Sequence, residues 1–262
     1  MFMFLTCLIN TVFWLPFLWW YGMAPALDWG VLGWTMCLVS SVLHLLYFYF
    51  LMFAYRQADL TVVYPVARGL GPVITAVFAV VVFAEPLTVS LGAGLLGVAA
   101  GVFLIAGGPS LLRAAQEQAR RDRVMKGVRY GALVGCFIAS YTLVDAYAVK
   151  WLLLSPILLD YLANVARLPI ISVLAWPKRS EFKAECKRNF KYAFIVATIS
   201  PVGYVMVLYA MQLAPMSRVA PARELSMLFA AIVGGHLLGE EDRMLRILGA
   251  GAIALGVLVL CW

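Results

Sequence analysis

Residues 67–85 read ARGLGPVITAVFAVVVFAE, and residues 222–240 read ARELSMLFAAIVGGHLLGE. Each is an apolar stretch of membrane length, with an arginine near its start and a glutamate closing it 17 residues later. Arg68 and Arg223 are 155 residues apart, as are Glu85 and Glu240, and Gln57/Gln212, Ala67/Ala222 and Ala76/Ala231 keep the same offset. Both copies then reach Gly-Ala-Gly, at Gly92–Gly94 and Gly249–Gly251. Alanine matches alone carry little weight in so apolar a chain, but matched charges inside such segments are rare and mark an internal duplication. A duplicated bundle of membrane helices is the sequence mark of a secondary transporter.

Composition supports a chain that lives in lipid. It is 64% hydrophobic and 13% charged, against about 45–50% apolar and about 25% charged in soluble domains. Too few polar residues remain to cover a water-facing surface, so the expected class is all-α, a polytopic helical membrane protein. The net charge of +7 is concentrated rather than spread. Twelve of the 20 basic residues fall in two loops, Arg113, Arg120, Arg121, Arg123, Lys126 and Arg129, then Lys178, Arg179, Lys183, Lys187, Arg188 and Lys191. Basic loops between spans are topology signals and contacts for anionic lipid heads, and they argue against a nucleic-acid partner. The five cysteines have no CxxC spacing, so neither a disulfide framework nor a metal site follows from them.

Hydropathy marks nine candidate helices, at 1–21, 30–53, 61–83, 89–107, 128–150, 153–175, 191–211, 219–239 and 245–261. Each is near the ~20 residues that cross a ~30 Å hydrocarbon core. No Lys or Arg precedes the first apolar run, so it does not read as a cleaved signal peptide. Trp19, Trp20, Tyr21, Trp29 and Trp34 cluster where an aromatic belt would lie. The basic loops 109–127 and 177–190 flank the fifth and sixth spans and are expected on the cytoplasmic face of a bacterial inner membrane, a plasma membrane. The C-terminus then emerges on the outer side.

The repeated helices are the third and eighth, so the duplicated unit has five helices, and an odd unit inverts when copied. The sequence divides into a first repeat over 1–108, a basic linker over 109–127 and a second repeat over 128–262. Two five-helix units need ten spans, and the missing one would precede Met1, through truncation or a misassigned start. Gly97–Gly101 and Gly131–Gly135 are GxxxG steps, and Ala252–Gly256 repeats the small-residue spacing. These are packing seams, within the bundle or between two copies in a homodimer.

Ionisable groups inside spans are costly, and each is a functional candidate by default. His44 lies mid-span in the second helix, Arg68 between Pro65 and Pro72, and Asp145 late in the fifth helix. Asp160 and Arg167 share one face of the sixth, and Arg223 and Glu224 follow Pro221 early in the eighth. Asp145 lies about 25 Å along a helix leading outward and Arg223 about 6 Å down one leading inward, at 1.5 Å per residue. The two share a level, and an Asp145–Arg223 ion pair or shared water cavity is expected. The arginines either contact a solute or snorkel at proline-broken helices. Glu85 and Glu240 read as solvated helix ends, and His44 as a satisfied interior histidine or a proton relay. Prolines 65, 72, 201 and 221 free backbone carbonyls, and broken helices of this kind line solute cavities. Tyr64, Tyr141, Tyr204 and Tyr209 divide between core and pore lining.

Tyr64-Pro-Val-Ala-Arg68-Gly-Leu-Gly-Pro72, then Ala84-Glu85-Pro-Leu, Tyr141-Thr-Leu-Val-Asp145, Arg223-Glu224 and Leu238-Gly-Glu240 together resemble the EamA-domain proteins of the drug/metabolite transporter superfamily. The resemblance covers almost the whole chain. It implies ten helices in two inverted five-helix halves, with no bound cofactor, and export or exchange of metabolites, amino acids or drugs. The central cavity it implies would draw on the helices bearing His44, Arg68, Asp145, Tyr204 and Arg223, with Tyr64, Tyr141 and Glu224 beside them. The family's first helix has no counterpart here.

The leading reading is a secondary transporter of a small solute working by alternating access, with proton coupling through Asp145. Paired arginines point to an anionic or carboxylate-bearing solute. A membrane enzyme is the contrasting class, but no HExxH, GxSxG or Walker-type GxxxxGK[ST] is present, so no catalytic residue or metal ligand is assigned. A non-transporting scaffold or truncated relic is the third class.

Overall fold

The structure, a computed structural model, describes residues 1–58, 60–105, 108, 118–226, 243–260 and 262. Glu240, His236, most of the expected span 219–239 and about half of the linker 109–127 lie outside the described residues. Every regular element among the described residues is helical. In chain order these are α1 (Phe2–Tyr21), α2 (Ala24–Leu27), α3 (Gly30–Gln57), α4 (Leu60–Val82), α5 (Val89–Ile105), α6 (Gln118–Lys150), α7 (Pro156–Ala175), a 3₁₀ turn (Trp176–Glu181), α8 (Phe182–Leu213), α9 (Met216–Ala222) and α10 (Arg243–Leu260). Lipid offers no partner for a free N–H or C=O, so apolar segments close their own backbone hydrogen bonds. Six helices among the described residues are long and apolar enough to cross a membrane, and Val89–Ile105 and Ile247–Leu260 are shorter apolar ones.

Helix α6 starts at Gln118 and α8 at Phe182, each about ten residues ahead of the spans read at 128 and 191. Among the described residues, the basic segments before those spans are therefore helix and 3₁₀ turn rather than loop. Hydropathy marks where a helix enters lipid. Lys, Arg, Gln and Glu are good helix formers, so the helix runs on for about 15 Å beyond that point.

The chain forms two compact units, one of residues 1–45 and 144–213, the other of residues 46–143 and 214–262. The division falls within α3 and α6, so each unit draws on both halves of the sequence.

In the first unit, Leu18 and Ala26 pack with Leu158 and Tyr161 of α7, and Cys7 with Leu45 and Ile171. A polar seam holds α1 to α7: the Asn164 amide donates to the Cys7 carbonyl at 3.3 Å and to Thr11 Oγ1 at 3.0 Å. The Tyr161 hydroxyl donates to the Thr11 carbonyl at 3.1 Å. Pro201 interrupts α8 and removes the N–H that would bind the Ala197 carbonyl four residues earlier. Asn10 Nδ2 and Trp14 Nε1 take that carbonyl instead, at 3.4 and 3.3 Å. The freed carbonyl at this proline is thus satisfied by protein.

The second unit contains both predicted glycine seams. A Cβ on Gly131 would come within 2.9 Å of the Val63 carbonyl, and one on Gly135 within 3.3 Å of that of Ala67, so this face of α6 rides on α4. Helices α5 and α10 pack antiparallel with backbone against backbone. A Cβ on Gly94 would meet the Gly256 carbonyl at 2.8 Å and the Leu260 side chain, and one on Gly249 would meet the Gly101 carbonyl at 2.7 Å and the Ile105 side chain. Adding 155 to Gly94 gives Gly249, and subtracting it from Gly256 and Leu260 gives Gly101 and Ile105. The contact of Gly101 with Ile253 maps in the same way onto that of Gly256 with Val98. Helices α5 and α10 therefore run in opposite directions, with contacts that mirror each other at the 155-residue offset.

Candidate functional site

In the first unit, α6 carries Asp145 within its apolar span, and the side chain is fully enclosed, with 1% of the residue exposed. A carboxylate there must find hydrogen-bond donors. The Tyr204 hydroxyl of α8 donates to its Oδ2, and His44 Nε2 of α3 lies 3.9 Å from the same oxygen. The His44 and Tyr204 rings meet edge to face, with centroids 5.4 Å apart. On its other side, His44 Nδ1 lies 3.0 Å from the Ser40 carbonyl, one turn back on α3. Nδ1 also lies 3.3 Å from Ser40 Oγ, so it donates to the carbonyl or accepts from the hydroxyl according to the tautomer. A protonated His44 ring and an ionised Asp145 attract each other at this distance. Three helices thus converge on a single buried carboxylate.

The second unit holds a second cluster. Arg68 Nη1 donates to Glu224 Oε1 at 3.4 Å, and the guanidinium lies 5.7 Å from the centre of the Tyr64 ring. Glu224 is 2% exposed. Tyr141 is buried and packs its ring edge-on to Tyr47 at 5.4 Å. Arg223 Nη1 donates to Thr142 Oγ1 at 3.3 Å. The sequence places Arg223 and Glu224 inside an unbroken span from residue 219, whereas α9 starts at Met216 and stops at Ala222. Both residues follow in a turn in which the Glu224 N–H binds the carbonyl of Pro221, three residues back. This tight turn directs Glu224 to Arg68.

Glu85 departs from its expected role as a solvated helix end. Its two carboxylate oxygens accept the backbone N–H groups of Met216 and Ser217, at 2.9 and 3.0 Å, and so cap the first turn of α9. Those N–H groups have no partner within their own helix, and the negative charge suits the positive end of the helix dipole. Ala84, with a φ of 52°, turns the chain at the close of α4 and brings Glu85 there.

The structure thus gathers His44, Asp145 and Tyr204 in the first unit, and Arg68, Glu224 and Tyr64 in the second, with Tyr141 and Arg223 placed in the second as well. Asp145 and Arg223 belong to different units. Sequence reasoning passed over Ser40 and Thr142. Ser40 stands four residues before His44, on the same helical face, and that spacing was the available signal.

No curated protein matches the sequence. A family model does: that of the EamA-like transporter family, over residues 1–107 and 125–262. With nearly the whole chain matched, and with inverted packing of α5 on α10 beneath the match, the chain belongs to the EamA-like transporter family.

Proposed function

We propose that this member of a membrane transporter family is a secondary transporter moving a small metabolite, such as an amino acid, organic acid or drug-like solute. It works by alternating access, in export or exchange, and sits in a bacterial inner membrane. The basic segments 109–127 and 177–190 are cytoplasmic and the C-terminus is extracytoplasmic. One observation carries the reading: Asp145, enclosed in a spanning helix, has the His44 imidazole 3.9 Å from its carboxylate. A proton held between Asp145 and His44 is the coupling ion. Its release and return accompany the change of access, and Tyr204 holds the carboxylate in place while the proton is away. Arg68, Glu224, Tyr64, Tyr141 and Arg223 form the second group that responds to solute.

Flux of labelled amino acids and organic acids into proteoliposomes, under an imposed pH gradient, tests this. Asp145→Asn is expected to lower gradient-driven flux at least tenfold, and His44→Gln to uncouple it from the gradient. Unchanged flux in both variants overturns the assignment.

A further inference from the structure

Helices α1, α7 and α8 of the first unit line a half-open cavity of about 290 Å³, at the small end of the range for small-molecule sites. Its wall is mostly aromatic and aliphatic, with the rings of Trp14, Phe17, Tyr161 and Tyr209. The polar groups in that wall are mostly engaged: Asn10 and Trp14 on the Ala197 carbonyl, Tyr161 on the Thr11 carbonyl. Asp160 is the one carboxylate lining it. Among the described residues it has no hydrogen-bond or ion-pair partner, yet it remains partly accessible. Arg167, on the same helix face, is within electrostatic range of Asp160 without bonding to it, and Asp145 is within range as well.

We propose that this cavity binds an organic ammonium ion, its nitrogen against Asp160 and its apolar body against the aromatic rings. An ionised carboxylate in an apolar span calls for a positive partner, and the electron-rich ring faces add attraction for the same charge. The site lies within one unit, and neither Asp145 nor Arg68 lines it. It gives the transporter reading a substrate class, amphipathic amines, and it rests on that reading only for the step of transport. The ammonium belongs either to a free amine or to the headgroup of phosphatidylethanolamine, and both meet Asp160 through the same chemistry.

The test measures binding rather than flux, so its failure is distinguishable from failure of transport. The full chain in phosphatidylglycerol nanodiscs is titrated calorimetrically with 4-phenylbutylamine and with the uncharged 4-phenylbutan-1-ol. The amine is expected to bind at least tenfold more tightly than the alcohol. Asp160→Asn should erase that preference, Asp160→Glu should restore it, and Val202→Trp, at a partly exposed position of the wall, should weaken the amine by filling the cavity. Equal binding of amine and alcohol to the unaltered chain overturns the proposal, even if Asp160→Asn fails to fold. So does a preference that survives Asp160→Asn. Replacing part of the lipid by phosphatidylethanolamine separates the sources: a weakened amine identifies the headgroup as the resident, and unchanged affinity identifies the free amine.

Discussion

The Tyr204 hydroxyl donates to the Asp145 carboxylate and ties α8 to α6 inside the first compact unit. The acceptor is enclosed by protein, so the bond stabilises more than a surface contact would. Hydrogen bonds to charged groups contribute about 1.5–3 kcal/mol. Tyr204→Phe is expected to cost about that much in unfolding measured in detergent, and less in an Asp145→Asn background. Equal losses in both backgrounds would show that the two side chains act independently.

The α5–α10 seam leaves no room for a side chain at its glycines. Gly101→Ala and Gly256→Ala would each press a Cβ onto facing backbone, at 2.5 and 2.7 Å. Overpacking of this kind costs about 1–3 kcal/mol. The two should lower the thermal unfolding temperature similarly, because their contacts mirror each other across the seam. Gly92→Ala and Gly251→Ala meet nothing within 4 Å and serve as controls expected to change little.

Glu85 caps a helix from a distance. Glu85→Ala removes both acceptors from the first turn of α9, and loss of a cap costs about 0.5–2 kcal/mol. Glu85→Gln keeps one carbonyl acceptor and should lose less. Hydrogen exchange at the Met216 and Ser217 amides reads the effect directly, and should quicken in the order wild type, Gln, Ala.

The Arg68–Glu224 pair predicts an asymmetric response. Glu224 is almost fully covered, while the Arg68 side chain keeps 30% of its surface. Removing one partner of a buried pair costs about 3–5 kcal/mol, because the other charge is stranded. Arg68→Met should therefore destabilise strongly, and Arg68→Met/Glu224→Gln should recover part of the loss. A double variant no more stable than Arg68→Met would mean that Glu224 is not stranded by the single change.

Much of the fold is legible in the chain because lipid enforces a simple rule. An apolar run of about 20 residues must be a helix in a bilayer, and α1, α3, α4, α6, α7 and α8 lie where hydropathy marks them. The glycine steps named their own close contacts, since only small residues let helix backbones touch. Boundaries read less well. The helical extensions before 128 and 191, and the turn at Arg223 and Glu224, depend on water and on partner helices, which a hydropathy window does not see.

The sequence alone determined that this is a polytopic helical membrane protein and pointed to a duplicated unit, because apolar run length and matched in-span charges need no neighbours to be meaningful. Tertiary structure decided which charge met which. Arg68 was matched to Arg223 by offset yet bonds Glu224, and Glu85 serves the backbone of α9 rather than solvent. A side chain's role follows from the groups that face it across a helix interface. Those groups come from elsewhere in the chain, over separations such as the 156 residues from Arg68 to Glu224.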